Sequence, residues 1–165
     1  MLDRLAGNEA MKQHLQAALA GGKLAHSLLL CGEKGCGAGF AARCLAADYL
    51  YPQGGPAAEA VLAGQAPECL EVRGEGASGQ IRIERIRQVR EEVFHSALSA
   101  QGRVVLLYGA QNLNSASANA LLKVLEEPPE GVLFLLTASS PAAVSAAAAP
   151  PTTSARCPRP SAPPG

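Results

Sequence analysis

Apolar residues recur along the chain with two different spacings, which predict strands alternating with helices. Runs of apolar residues, typical of strands buried on both faces of a parallel sheet, make up most of residues 27–31, 103–108 and 132–137. Between these runs the apolar positions repeat every three to four residues, as they do on one face of a helix. Because strands and helices alternate through short connections, we predict an α/β fold with a parallel sheet covered on both faces.

The helical pattern has recognisable starts and stops. It covers residues 9–20, 38–51, 83–98 and a stretch from 114 or 115 to the residue before Pro128. We expect Asn8 to cap the first helix and Asn114 or Ser115 to cap the last, because such side chains accept hydrogen bonds from first-turn N–H groups. Pro128 and Pro129 would end the last helix, since proline cannot continue one.

Two expectations concern the segments around the second helix. Within that helix we expect Phe40, Cys44 and Leu45 to be buried. Residues 52–67 hold three prolines and three glycines, so we expect a surface insertion there, either a loop or a short irregular helix. Residues 70–72 read as a short strand.

The composition changes near Pro141. Beyond it the chain is rich in alanine, proline, serine and threonine and has few large apolar residues, which is too little to offset the entropy cost of ordering. We therefore predict a folded domain over residues 1–140 and a low-complexity, disordered tail over residues 141–165.

Composition narrows the function classes. Fourteen basic residues balance fourteen acidic ones, so bulk charge does not indicate a polyanion partner. No apolar run is long enough to span a membrane and the start does not resemble a secretory signal, so we expect a cytoplasmic protein without membrane contact. The five cysteines are scattered and odd in number, which favours reduced thiols over a disulfide framework or a metal site.

A glycine-rich loop directly follows the first strand. Gly32 and Gly37 have the spacing of a P-loop, Gly-x-x-x-x-Gly-Lys-Ser/Thr, whose lysine meets phosphate and whose hydroxyl holds magnesium. The two positions that carry this chemistry are occupied by Ala38 and Gly39. The loop, which also contains Gly35, therefore keeps the glycines of the turn without the charge or the metal ligand. We predict a degenerate phosphate loop without a nucleotide or metal cofactor.

A second requirement of P-loop ATPases is also unmet. Such enzymes need an acidic residue after a second core strand to hold magnesium. Here that strand is followed by Gly109, Ala110 and Gln111, without a carboxylate. We predict that the chain is not an ATPase. In the alternative interpretation Lys34, displaced within the loop, reaches the phosphates and the chain is a P-loop ATPase.

Residues 119–129, which end in Leu-Glu-Glu-Pro-Pro, resemble the clamp-loader subunits of bacterial DNA polymerase III. Segments 26–30, 81–87 and 135–140 agree with that family in order and spacing. The resemblance covers roughly residues 1–140 and implies an AAA+ fold. Motor subunits of the family keep the lysine and acidic residues that are absent here. The resemblance therefore points to the delta-prime branch, a stator that assembles with the motor subunits and other DNA polymerase III subunits, and reaches DNA and the sliding clamp through the complex.

The resemblance also implies a role for an arginine near the end of the chain. In the family, a Ser-Arg-Cys motif after the sensor strand completes the ATP site of a neighbouring subunit. Arg156 precedes Cys157 here, with Ser154 one place early, so Arg156 is the candidate trans-acting arginine finger; a solvated tail arginine is the alternative. The family's zinc module, lid and collar are not recognisable, which leaves a truncated fragment without a stable assembly role as another interpretation.

A local basic cluster lies on the third helix. It consists of Arg82, Arg85, Arg87 and Arg90. Such a patch can contact DNA phosphates, but glutamates lie among these arginines and i,i+4 ion pairs on a solvated helix face explain the pattern at least as well. Both interpretations stay open at this point.

Overall fold

The computed structural model describes residues 1–95 and 102–142 and the backbone of one further strand. In chain order its elements are a 3-10 turn (Leu2–Arg4), α1 (Glu9–Ala20), β1 (Ser27–Cys31), α2 (Ala38–Leu50), α3 (Pro56–Leu62), β2 (Cys69–Val72), α4 (Ile83–His95), β3 (Arg103–Leu107), a second 3-10 turn (Ala110–Asn112), α5 (Ser115–Glu126), β4 (Val132–Ala138) and β5 (Ser154–Arg156).

The strands form one parallel sheet in the order β2-β3-β4-β1-β5. In the register of the central pairs, Leu28 of β1 lies opposite Leu135 of β4, and Val105 of β3 lies opposite Phe134 of β4. Because parallel neighbours cannot be joined by tight hairpins, the chain crosses over between strands through helices. The predicted α/β fold, a parallel sheet flanked by helices, is confirmed.

The two faces of the sheet bury different clusters, because successive strand side chains point to opposite sides. Leu28 and Leu30 pack with residues of α1, α2 and α3, whereas Leu29 and Cys31 pack with residues of α4 and α5. The central strands are therefore buried on both sides, which is why they read as continuous apolar runs. None of the helices in the described part of the chain has the length and apolar character that a membrane crossing requires.

The two predicted helix caps have different outcomes. Asn114 caps α5, since its side chain accepts a 2.8 Å hydrogen bond from the Ser117 N–H. Asn8 precedes α1 in a left-handed conformation, with φ 55° and ψ 47°, and makes no capping hydrogen bond with its side chain. The prediction for Asn8 was wrong because side-chain capping needs an extended backbone at that residue; its amide instead donates to Met11 Sδ at 3.3 Å.

Two further expectations need correction. Residues 56–62 form the regular helix α3, in which Ala58 and Val61 are fully buried, so this segment is part of the core and not a surface insertion. Proline favours the first helical turn, and Pro56 starts α3 there. Phe40 is 45% exposed although it was expected inside. It lies in the first turn of α2 beside the exposed loop, and burial of this helix begins at Ala41.

The tail departs from the prediction at one place. Ser154–Arg156 forms β5, which pairs with β1 and places Arg156 opposite Cys31. Disorder is therefore the wrong description for these three residues, because backbone hydrogen bonds to a buried strand order a segment whose side chains are small or polar. Residues 143–153 and 157–165 lie outside the described residues, as do residues 96–101, where α4 was expected to end.

Candidate degenerate nucleotide site

The glycine loop lies at the carboxyl ends of the strands, where parallel α/β sheets bind ligands. The Gly32 N–H donates a 3.0 Å hydrogen bond to the carbonyl oxygen of Ala138, which ties the start of the loop to the end of β4. At the other end of the loop, Gly37 has φ 86° and ψ 12° and accepts the first bond of α2 from Ala41 N–H at 2.8 Å. Glycine adopts this left-handed conformation without the steric cost of a side chain. The backbone thus forms the strand–loop–helix turn of a phosphate site.

The side chains of this loop do not supply the chemistry of a phosphate site. Ala38 and Gly39 occupy the first turn of α2 and are half-buried. Lys34 is exposed on the loop, and Gly35 adopts a positive φ of 91°. The helical end of the loop therefore offers backbone N–H groups, which favour anions, but has neither an ammonium nor a hydroxyl.

The space beside Gly39, in the first turn of α2, is occupied by an aromatic ring. Tyr108 directly follows β3, and a Cβ atom added at Gly39 would lie 3.1 Å from its Cε1 atom and 3.5 Å from its Cδ1 atom. The ring therefore occupies the space beside residue 39 into which a serine or threonine side chain would extend. Gly39 stands where a working loop has its hydroxyl, and Tyr108 directly follows β3, where a carboxylate would be expected. These two residues therefore lie against each other.

Tyr108 is held by charged groups from β2, α2 and the segment after β2. Its hydroxyl donates to Glu71 Oε1 at 3.2 Å and accepts from Arg43 Nε at 3.0 Å. Arg43 also donates to both oxygens of Glu71, at 2.8 and 3.0 Å, and to the carbonyl oxygen of Leu62 at 3.2 Å. The guanidinium of Arg73 lies 3.8 Å from the centroid of the Tyr108 ring and donates to Glu71 Oε2 at 3.1 Å. We call Arg43, Glu71, Arg73 and Tyr108 the tyrosine clamp.

The electrostatics of the clamp keep the tyrosine protonated. Burial and then the nearby Glu71 carboxylate raise the pKa of Tyr108 to about 12, while Arg43 opposes this shift. The hydroxyl therefore stays protonated, and remains a donor to Glu71, to higher pH than an ordinary tyrosine would.

The segment after β3 uses neutral groups to join the end of β4. The Gly109 N–H donates to Thr137 Oγ1 at 3.1 Å, and Gln111 Oε1 accepts from the Ser139 N–H at 3.4 Å. Ala110 is completely buried. These contacts fix the strand ends relative to one another without placing a carboxylate at the loop.

The arginines of the predicted basic cluster do not all face the same surroundings. Arg85 donates to the carbonyl oxygen of Glu71 at 3.2 Å and so turns toward β2. Arg87 and Arg90 instead line a surface depression together with Phe94, and the Arg90 guanidinium lies 5.8 Å from the Phe94 ring centroid. Arg82 is exposed just before α4.

Similarity to known proteins agrees with this architecture. The family described as DNA polymerase III, delta subunit, matches residues 7–159 of the chain. The chain belongs to this family. The predicted resemblance to clamp-loader subunits of DNA polymerase III is therefore confirmed.

Individual relatives of the chain come from several bacteria. The delta' subunit of Pseudomonas aeruginosa is 32% identical over 148 residues, which cover 84% of this chain and 44% of that protein. The gamma/tau subunit of Mycobacterium tuberculosis is 32% identical over 139 residues, which cover 79% of this chain and 24% of that protein. The chain thus spans less than half of the length of these relatives.

A solved structure supports the fold of this family member. A gamma subunit-related protein of DNA polymerase III from Thermotoga maritima superposes with a TM-score of 0.57 at 19% identity, covering 88% of this chain and 46% of that one. At this identity the likeness concerns the fold alone.

The sequence prediction for this family member missed the tyrosine clamp. Its members are separated by up to 65 residues along the chain, so no short motif joins them. One local signal was available, because Arg43 is the sole basic residue of the apolar helix α2. A buried charge of that kind needs a partner, and the structure supplies Glu71 and Tyr108.

Proposed function

We propose that this chain is a delta-prime type, non-catalytic subunit of a DNA polymerase III clamp loader, which acts in the cytoplasm. It would assist loading of the sliding clamp during DNA replication through contacts with the motor subunits and other DNA polymerase III subunits. The observation that carries the proposal is the presence of Ala38 and Gly39 at the helical end of an otherwise well-formed phosphate loop. The names of the Pseudomonas and Mycobacterium relatives support the assembly.

The missing groups act at different steps of ATP use. A lysine at position 38 would meet the β and γ phosphates, and a hydroxyl at position 39 would ligate magnesium. A carboxylate after β3 would complete the metal site, and Gly109, Ala110 and Gln111 provide none. Because phosphoryl transfer relies on positioning and charge stabilisation, losing these groups together removes the means of hydrolysis.

Arg156 is the proposed contribution of this subunit to catalysis elsewhere. Its backbone lies opposite Cys31, the residue before the loop, at the carboxyl end of β5. In the assembled complex it would act in trans, placing a guanidinium on the γ-phosphate held by a neighbouring motor subunit. DNA would be reached through the complex, with Arg82, Arg87 and Arg90 as the exposed members of the basic cluster.

A calorimetric titration combined with reconstitution tests the proposal. The full chain, shown to be folded by circular dichroism, is titrated with magnesium ATP and then mixed with the motor subunits, and we expect no binding heat but a stable complex. Arg156→Ala should slow hydrolysis at the completed neighbouring site about 10³-fold or more. Arg159→Ala is the matched control in the same tail and should leave the rate unchanged.

Two results would contradict this function. Micromolar binding and turnover of ATP by the isolated chain, abolished by Lys34→Ala, would make it a P-loop ATPase that uses the displaced lysine. A folded chain that does not co-purify with the motor subunits would instead be a fragment without a stable assembly role.

A further inference from the structure

The tyrosine clamp has a further role besides filling the space beside Gly39. We infer that the Tyr108 ring, seated on Gly39 and held by Arg43, Glu71 and Arg73, is a built-in replacement for magnesium nucleotide: it closes the metal position and joins the segments around the loop without a ligand. This inference rests on the proposed function of the chain as a subunit that does not use ATP.

The first step is steric. In P-loop ATPases the metal is held by the loop hydroxyl and by a carboxylate after a core strand, and magnesium requires oxygen ligands in octahedral geometry at about 2.0–2.1 Å. Residue 39 and the end of β3 are the corresponding places here. A Cβ atom at position 39 would already lie 3.1 Å from Tyr108 Cε1, so a hydroxyl beyond that Cβ would compete with the ring for the same space. Restoring residue 39 alone therefore does not restore a metal site.

The second step is that the ring is fixed in place. Its hydroxyl contacts Glu71 at 3.2 Å and Arg43 at 3.0 Å, and the Arg73 guanidinium stacks on its face at 3.8 Å. The side chains of Arg43 and Glu71 are only 25% and 20% exposed. Swinging the ring away would leave these largely buried charges with poorer partners, which is unfavourable.

The third step concerns what the clamp connects. Arg43 belongs to α2, Glu71 to β2 and Tyr108 to the end of β3, while Leu62 contributes the last carbonyl of α3. A phosphate and its metal would bridge the loop to the strand ends in a working site. Here side chains make the bridge, so the arrangement of the loop helix relative to β2 and β3 persists in the absence of nucleotide.

Restored variants of the full chain test the inference by calorimetric titration with ATP in the presence and absence of magnesium. Ala38→Lys with Gly39→Ser returns the loop chemistry but keeps the ring, and we expect no binding. Adding Tyr108→Asp to this pair removes the ring and supplies a carboxylate. We expect that triple variant to gain magnesium-dependent binding of ATP, at least about tenfold tighter than the weakest binding that the titration could detect in the pair. The matched control adds Tyr108→Phe to the same two substitutions. This variant keeps the ring, so it should still fail to bind ATP.

Several outcomes would overturn the inference. The paired variant, with Tyr108 intact or with Tyr108→Phe added, could bind as tightly as the triple variant, which would show that the ring does not block the site. If all variants are folded and none binds ATP, the ring is not what prevents binding. If thermal melting shows that Tyr108→Asp disrupts folding, Tyr108→Ala is added to the two loop substitutions instead. ATP binding is then again compared with and without the ring. Failure of the unmodified chain to join the motor subunits would refute the proposed function but leave this comparison unaffected.

Discussion

Two glycines at the helical end of the glycine loop, Gly37 and Gly39, are present for different physical reasons. At Gly37 the backbone has φ +86° and an added Cβ atom would meet nothing within 4 Å, so conformation alone requires glycine there. At Gly39 the backbone is helical without a positive φ, and the neighbouring Tyr108 ring requires the small residue. The first glycine preserves the turn of a phosphate site, whereas the second accommodates the group that fills it. A loop can thus keep its geometry after its chemistry is lost.

The largest expected loss of stability comes from removing the carboxylate of Glu71, which lies at the centre of the tyrosine clamp. Glu71→Ala leaves the guanidinium of Arg43 and the hydroxyl of Tyr108 without their main partner. We expect the free energy of unfolding to fall by about 2 kcal/mol, less than for a fully buried pair because both side chains retain some solvent contact. Chemical denaturation of the full chain measures this change.

Glu75→Ala is the matched control for that variant, since Glu75 is exposed on the nearby turn. It should change stability by no more than about 0.5 kcal/mol. An equal loss in the two variants would mean that the clamp contributes no specific stabilisation.

A double-mutant cycle compares the two glycines directly. Gly39→Ala and Tyr108→Ala should be coupled by about 1 kcal/mol, because the added methyl group is tolerated better once the ring is gone. Gly37→Ala should be destabilising by about 1–2 kcal/mol from backbone strain and should show no coupling with Tyr108→Ala. Equilibrium unfolding of the single and double variants gives both coupling energies, and equal values would contradict the distinction between the two glycines.

The effect that is smallest at neutral pH is a difference in alkaline stability, which appears only from about pH 10 upward. The ordinary tyrosine pKa of 10.0 applies to the unfolded chain, whereas burial and Glu71 raise the pKa of Tyr108 to about 12 in the folded one. Between these values the unfolded state has released a proton that the folded state keeps, so stability falls as pH rises from 10 to 12. In this window the free energy of unfolding of Tyr108→Phe should fall less steeply with pH than that of the unmodified protein. The two slopes should differ by the equivalent of up to about one bound proton.

Denaturation at several pH values checks that slope. Burial also raises the pKa of Cys44 to about 11 and of Cys69 to about 12, so both proteins should begin to weaken above the ordinary cysteine pKa of 9.0. Parallel curves for the two proteins from pH 10 upward would exclude a titrating Tyr108.

The sequence allowed the sheet to be predicted well because its strands are buried on both faces. The predicted strand at 27–31 has the bounds of β1, and Asn114 caps α5 as expected. The regular, buried helix α3 was not predicted because glycines and prolines on either side of it resemble a loop or an irregular helix, while the burial of Val61 depends on α2. Local patterns contain no information on such distant packing.

For the candidate site, the sequence predicted where the loop lies and which functional side chains are absent, but not which side chain fills the space. The absence of side-chain chemistry at Ala38 and Gly39 follows from a spacing rule, and so does the location of the loop. What fills the space depends on Tyr108 meeting Glu71, 37 residues earlier in the chain. Such a contact is set by the sheet order, which brings β2 beside β3, and not by any sequence neighbour.

The short outer strands of the sheet have a consequence for solubility. β2 has four residues and β5 has three, and within the described part of the chain these strands form the two edges. Long, flat edges with unpaired backbone groups recruit strands from other molecules and promote aggregation. Edges this short expose few such groups, so the sheet can keep its very apolar central strands while offering other chains little backbone on which to add a strand.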